Sequence, residues 1–198
     1  MDKTTIIIIA AVLIVLIAAG FLFSRRRRSE RLQASFGPEY DRAVSEAGDK
    51  RKAEAELHDR EKRVEKLDIR PLDPAERQKF DAEWNRVQSG FVDDPDLSVH
   101  DADKLLQEVM SARGYPVKTF EQAAADISVD HPTVVQHFRT AHDIVVRHDR
   151  GDGDTEDLRK AMINYRALFD ELVIDQKDVD RQSEANSTKD DARARERV

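Results

Sequence analysis

Between residues 68 and 174 the chain is punctuated five times by helix-start signals, each followed by apolar residues three and four apart. This pattern constrains the fold most, because a period near 3.6 does not fit a half-buried strand, which needs strict alternation. Asp73-Pro74 opens the first segment, and Glu76 is placed to complete a capping box. Its stripe is Phe80, Trp84, Val87 and Phe91, and Gly90 marks its end. Asp94-Pro95 opens the second, expected to bury Leu97, Ala102, Leu105, Leu106, Val109 and Met110 before stopping at Gly114. Thr119 with Gln122 reads as another capping box, ahead of Ala123, Ala124 and Ile127, and Asp130-His131-Pro132 as the start of a fourth helix carrying Val134, Val135, Phe138, Ala141 and Val145. The last begins at Asp154 or Thr155, with Leu158, Met162, Tyr165, Phe169 and Leu172 on one face. The expected class is all-α, with residues 68–174 forming a compact bundle of about five helices. The aromatics Phe80, Trp84, Phe91, Phe138, Tyr165 and Phe169 read as core, with a ligand pocket built from them as the alternative.

A different pattern occupies the start of the chain. Residues 6–23 form an unbroken apolar run, close to the ~20 residues a helix needs to cross a bilayer. Arg25, Arg26, Arg27 and Arg28 close it, and Arg31 adds to them, against the single Lys3 on the other flank. Basic residues beside a membrane helix stay on the cytoplasmic side. Residues 1–28 therefore read as a single-pass transmembrane anchor with an arginine clamp, placing the N-terminus outside the inner (plasma) membrane and the C-terminal domain in the cytoplasm. The competing reading is a cleaved secretory signal, for which Ala18, Ala19 and Gly20 are small enough; the arginines then stand on the wrong side of the apolar run. The absence of Cys excludes a disulfide framework.

Charge is distributed unevenly. Residues 24–67 carry a net +3 and residues 68–174 a net −9. So acidic a domain argues against nucleic acid as partner, since phosphate backbones are bound by clustered Lys and Arg. The basic cluster beside the apolar run reads as a topology signal, or as a site for anionic lipid at about 1 kcal/mol per Arg.

Residues 29–67 read as a charged helical connector. Gly37-Pro38 interrupts any helix leaving the membrane and starts a new, long one. Opposite charges three or four apart support it in solvent, and Leu57, Val64 and Leu67 restore an apolar face, so that docking is expected only at the far end. A homo-oligomeric coiled coil through the connector is the alternative. Residues 175–198 lack apolar periodicity and read as a disordered tail.

Several words in the chain, Phe36-Gly37-Pro38-Glu39-Tyr40-Asp41-Arg42, Ile69-Arg70-Pro71-Leu72, Phe91-Val92-Asp93-Asp94-Pro95, Arg113-Gly114-Tyr115-Pro116, Val129-Asp130-His131-Pro132 and Tyr165-Arg166-Ala167-Leu168-Phe169, are also informative. With them, residues 30–174 resemble a family of bacterial single-pass membrane-anchored proteins to which no reaction, cofactor or partner is assigned. The resemblance implies that connector and bundle belong together.

The chemistry-bearing residues form no familiar arrangement. His137, His142 and His148 are five and six apart, on different helix faces, whereas a helical zinc pair wants three or four. The acids from Asp149 to Asp157 fail the calcium-loop register, which needs Gly at position six and Glu at twelve. Arg150-Gly151-Asp152 has adhesive meaning only outside a cell, and there is no phosphate loop, nucleophile elbow or HExxH. The expected function is non-enzymatic, with no cofactor and no metal: a membrane-tethered adaptor or scaffold that holds a protein partner, with Tyr40, Asp41, Arg42 and His131 as candidate interaction residues. The alternatives are an enzyme dependent on a metal or small ligand, drawing on His131, His137 and His142, and a secreted helical domain if the N-terminus is cleaved.

Overall fold

The structure is a computed structural model that describes Leu16, Gly20, Phe23 and residues 26–174. Apart from Leu16, Gly20 and Phe23, the apolar run 6–23 lies outside the described residues, as do Arg25 and the tail 175–198. Among the described residues every regular element is a helix, and no helix is long and apolar enough to cross a membrane. They contain eight helices, five of them within residues 68–174. The chain divides into two compact units, one ending at Asp59 and the other beginning at Arg60.

The first unit holds α1 (26–36), α2 (Pro38–Ala47) and the larger part of α3 (Lys50–Val64). Gly37, at φ 47°, separates α1 from α2, and Pro38 occupies the first turn of α2, where its missing N–H costs nothing. The single long helix expected from here is not formed. Gly48 takes the left-handed conformation, φ 62°, and its N–H bonds to Val44 O at 3.1 Å, so α2 ends after Ala47. Asp49 Oδ1 then accepts from Lys52 N at 3.0 Å as α3 begins. Nor is burial confined to the far end of the connector: Leu32, Phe36, Tyr40, Ala43 and Ala53 are buried along with Leu57. Tyr40 Oη donates to Glu54 Oε1 at 2.9 Å, tying α2 to α3. Glu39 is wholly buried and takes the Arg42 guanidinium on both carboxylate oxygens, at 2.6 and 2.9 Å.

The second unit contains α4 (Pro74–Gly90), α5 (Pro95–Ala112), α6 (Phe120–Asp130), α7 (Val135–Asp149) and α8 (Thr155–Val173). Helix α8 is central, packing on α7, α5 and α4, while α4 also meets α5 and α6 meets α7. Its Leu158, Tyr165, Leu168, Phe169 and Leu172 are almost wholly buried, in one core with Trp84, Val99, Leu106, Ile127 and Phe138. Each such side chain stabilises the fold by about 1.5–3 kcal/mol relative to exposure.

The caps explain where the helices start. Asp73 and Glu76 form both halves of a capping box, and Asp94, Thr119 and Asp154 each accept from the N–H three residues on. At Asp130 the outcome differs from the sequence reading. Asp130 is the last residue of α6 and its carboxylate accepts from Tyr115 Oη at 2.7 Å; α7 begins only at Val135, without a side-chain cap. Leu97, expected in the core, is 57 % exposed, and Ser98 and Val99 take the inward positions. Phe91 is only partly buried, because it caps the end of α4 instead of continuing its stripe.

Candidate functional site

The core leaves one side of α4 and α8 incompletely covered. Trp84 stacks on Phe169 with ring centroids 4.7 Å apart, and its Nε1 donates to Gln88 Oε1 at 3.2 Å. Together Trp84, Gln88 and Phe91 from the α4 side and Arg159, Met162, Ile163 and Arg166 from α8 line a cleft of about 350 Å³. The α8 residues are spaced at i, i+3, i+4 and i+7, so one helix face supplies that wall.

Burial inside the cleft is graded. Trp84 is 1 % and Met162 8 % exposed, forming the floor, while Ile163 is 55 % exposed at the rim. The polar edge is made of two guanidinium groups. Arg166 lies 5.5 Å from the Trp84 ring centroid and pairs with Asp170 at 2.7 Å. Arg159 pairs with Glu156 at 2.6 Å, and that hydrogen bond holds the Glu156 carboxyl below its usual range. Both are helix-surface pairs three or four residues apart, screened by solvent and therefore weak.

The structure gives the sequence-derived candidates mostly internal roles. Arg26, Arg27 and Arg28 are exposed, with Arg27 packed over the Phe23 ring at 4.5 Å and Arg26 paired with Glu30. Tyr40 is buried at the α2–α3 contact, Arg42 grips Glu39 and Glu46, and Asp41 is exposed. His131 is buried in the other unit, its Nδ1 3.1 Å from Glu171 Oε1. His137 bonds Asn164 at 2.7 Å and His142 stacks on Phe120 at 3.6 Å, so His131, His137 and His142 are engaged separately.

Sequence reasoning placed Trp84, Phe91 and Met162 in stripes and passed over Ile163 and Arg166. A signal was present. Ile163 falls off the α8 stripe, yet it stands one and four residues from Met162 and Arg159, on the helix face that walls the cleft.

This arrangement defines an all-α protein with an apolar, arginine-rimmed surface cleft on its central helix. No protein-family model, curated protein or solved structure matches the chain.

Proposed function

We propose that the chain is a single-pass membrane protein whose cytoplasmic helical part holds a protein partner in the α4–α8 cleft. The observation carrying the binding half is Ile163, an apolar side chain left exposed beside the Trp84 and Met162 floor. Aromatic and aliphatic surface ringed by arginine is the composition of a binding hot spot. An amphipathic helix with acidic flanks fits it: its apolar residues meet Trp84, Phe91 and Met162, and its carboxylates meet Arg159 and Arg166.

The anchoring half is supported by the sequence run 6–23 and its arginine clamp, and by helical backbone at Leu16, Gly20 and Phe23. Tethering concentrates the domain, and anything bound to it, at one surface, so a module without chemistry of its own gains avidity.

The test is affinity capture of the full-length chain from membranes, alongside a topology reporter fused after Val198. A cytosol-dependent reporter is expected to be active there. The captured partner should be lost on Ile163→Glu, a change at an exposed position that leaves melting unaltered. An active periplasmic reporter overturns the tether; capture indifferent to Ile163→Glu overturns the cleft.

A further inference from the structure

Two histidines that the sequence leaves far apart meet where α5 begins and α7 ends. His100 Nε2 lies 3.4 Å from Asp149 Oδ1, and His148 Nε2 lies 3.4 Å from Asp96 Oδ1. Asp96, His100 and Asp149 each present a ligand atom within 4.8 Å of the others. From the geometry of this cluster we infer a binding site for a divalent transition metal of the zinc class, held by Asp96, His100 and Asp149, with His148 beside Asp96, and fastening the start of α5 to the end of α7.

The first argument is the tautomer of His100. Its Nδ1 lies 2.9 Å from the carbonyl oxygen of Asp96, which only accepts, so Nδ1 carries the hydrogen. A metal-binding histidine is oriented in this way, with one ring nitrogen donating to a backbone carbonyl and the other free to ligate. Nε2 is thereby directed at the Asp149 carboxylate, and either a proton or a metal ion can fill the space between them.

The second argument is distance. An imidazolium bound directly to a carboxylate sits at about 2.7–2.9 Å. Ligands about 2.0–2.1 Å from a tetrahedral zinc ion stand about 3.3–3.4 Å from one another. Both histidine–carboxylate contacts have the longer spacing.

The third concerns His148, whose ring is held in place by backbone. A Cβ on Gly153 would come within 3.1 Å of His148 Nδ1, so the absence of a side chain there lets the turn close over the ring. Nδ1 is buried without a hydrogen-bond partner, and Nε2 faces Asp96, so His148 positions that carboxylate. An imidazole with two carboxylates suits zinc and its neighbours rather than magnesium or calcium, which prefer all-oxygen sites.

The experiment uses the full-length chain, stripped with a chelator, and Zn²⁺ alone as the probe. Nitrogen-detected spectra of the imidazoles should show a saturable shift at Nε2 of His100, and the melting temperature should rise with Zn²⁺ but not with Mg²⁺. His100→Gln and Asp149→Asn should each weaken binding at least tenfold while leaving the metal-free melt unchanged, since both side chains are about half exposed. His137→Gln serves as control and should bind as the parent does. Equal shifts at His137 and His142, unchanged affinity in Asp149→Asn, or the absence of saturable shifts overturns the site.

Discussion

Arg63 Nε and Nη2 converge on Oδ1 of Asp126, at 2.7 and 2.6 Å, across 63 residues of sequence. The carboxylate is wholly buried, whereas the arginine side chain is 41 % exposed. The pair fastens the end of α3 to α6 within the second unit. Removing the cation strands a buried charge, and that, more than the lost attraction, sets the cost. Arg63→Ala should destabilise the protein by about 1–3 kcal/mol in urea denaturation. Adding Asp126→Asn should recover part of that loss; additive losses would show that the two residues act independently.

A closer constraint lies at Gly114. Its φ is 98°, and a Cβ there would collide with the Asp68 carbonyl oxygen. Beside it Arg70 N donates to Arg113 O at 2.9 Å, so backbone lies against backbone and neither side yields. Gly114→Ala should cost at least about 2 kcal/mol, measured by thermal or urea unfolding. Gly48→Ala, where nothing lies within 4 Å, should cost less, through the left-handed backbone alone.

The Asp73–Glu76 capping box makes a prediction about acid. Hydrogen bonds from Arg70 and then from the Asp73 N–H hold the Glu76 carboxyl down at about 2, from an ordinary value of 4.5. A depressed folded-state value means that the unfolded chain binds the proton more readily. The contribution is thus present in full above about 4.5 and is lost as pH falls toward 2. Carbon-detected titration of the Glu76 carboxyl should place its midpoint near 2, and Arg70→Ala should move it up. Asp73→Ala should cost about 1 kcal/mol as the N-cap is lost.

Tyr165 gives a spectroscopic check on the core. Its ring is wholly buried, and Oη donates to Asp103 Oδ1 at 3.0 Å. Burial first, and the neighbouring carboxylate second, push the phenol far above its usual range. Absorbance titration should show Tyr165 silent while an ordinary tyrosine ionises near about 10. Tyr165→Phe should remove about 1 kcal/mol.

Much of the second unit was legible because its signals are local. Asp73, Asp94, Thr119 and Asp154 cap the helices they precede in sequence, and the α8 stripe packs as its spacing dictates. Asp130 misled because a carboxylate before a proline reads as a cap, whereas its partner is Tyr115, fifteen residues earlier. Leu97 misled because it adjoins a true stripe while facing outward. The cleft and the histidine cluster were hidden for one reason: each is assembled from two helices, and a single-helix period carries no information about which faces meet. Even so, Asp96 and His100 stand four apart, the spacing at which a helix offers two ligands on one side.

The central claim, that Ile163 sits in a partner-binding cleft, is tested most directly by a photo-crosslinking side chain placed at position 163 of the full-length protein in intact cells. The account predicts a crosslink to an amphipathic, acid-bearing helix, abolished by Arg166→Glu and absent with the probe at exposed Asp143. Equal labelling from positions 163 and 143, or none from 163, would contradict it.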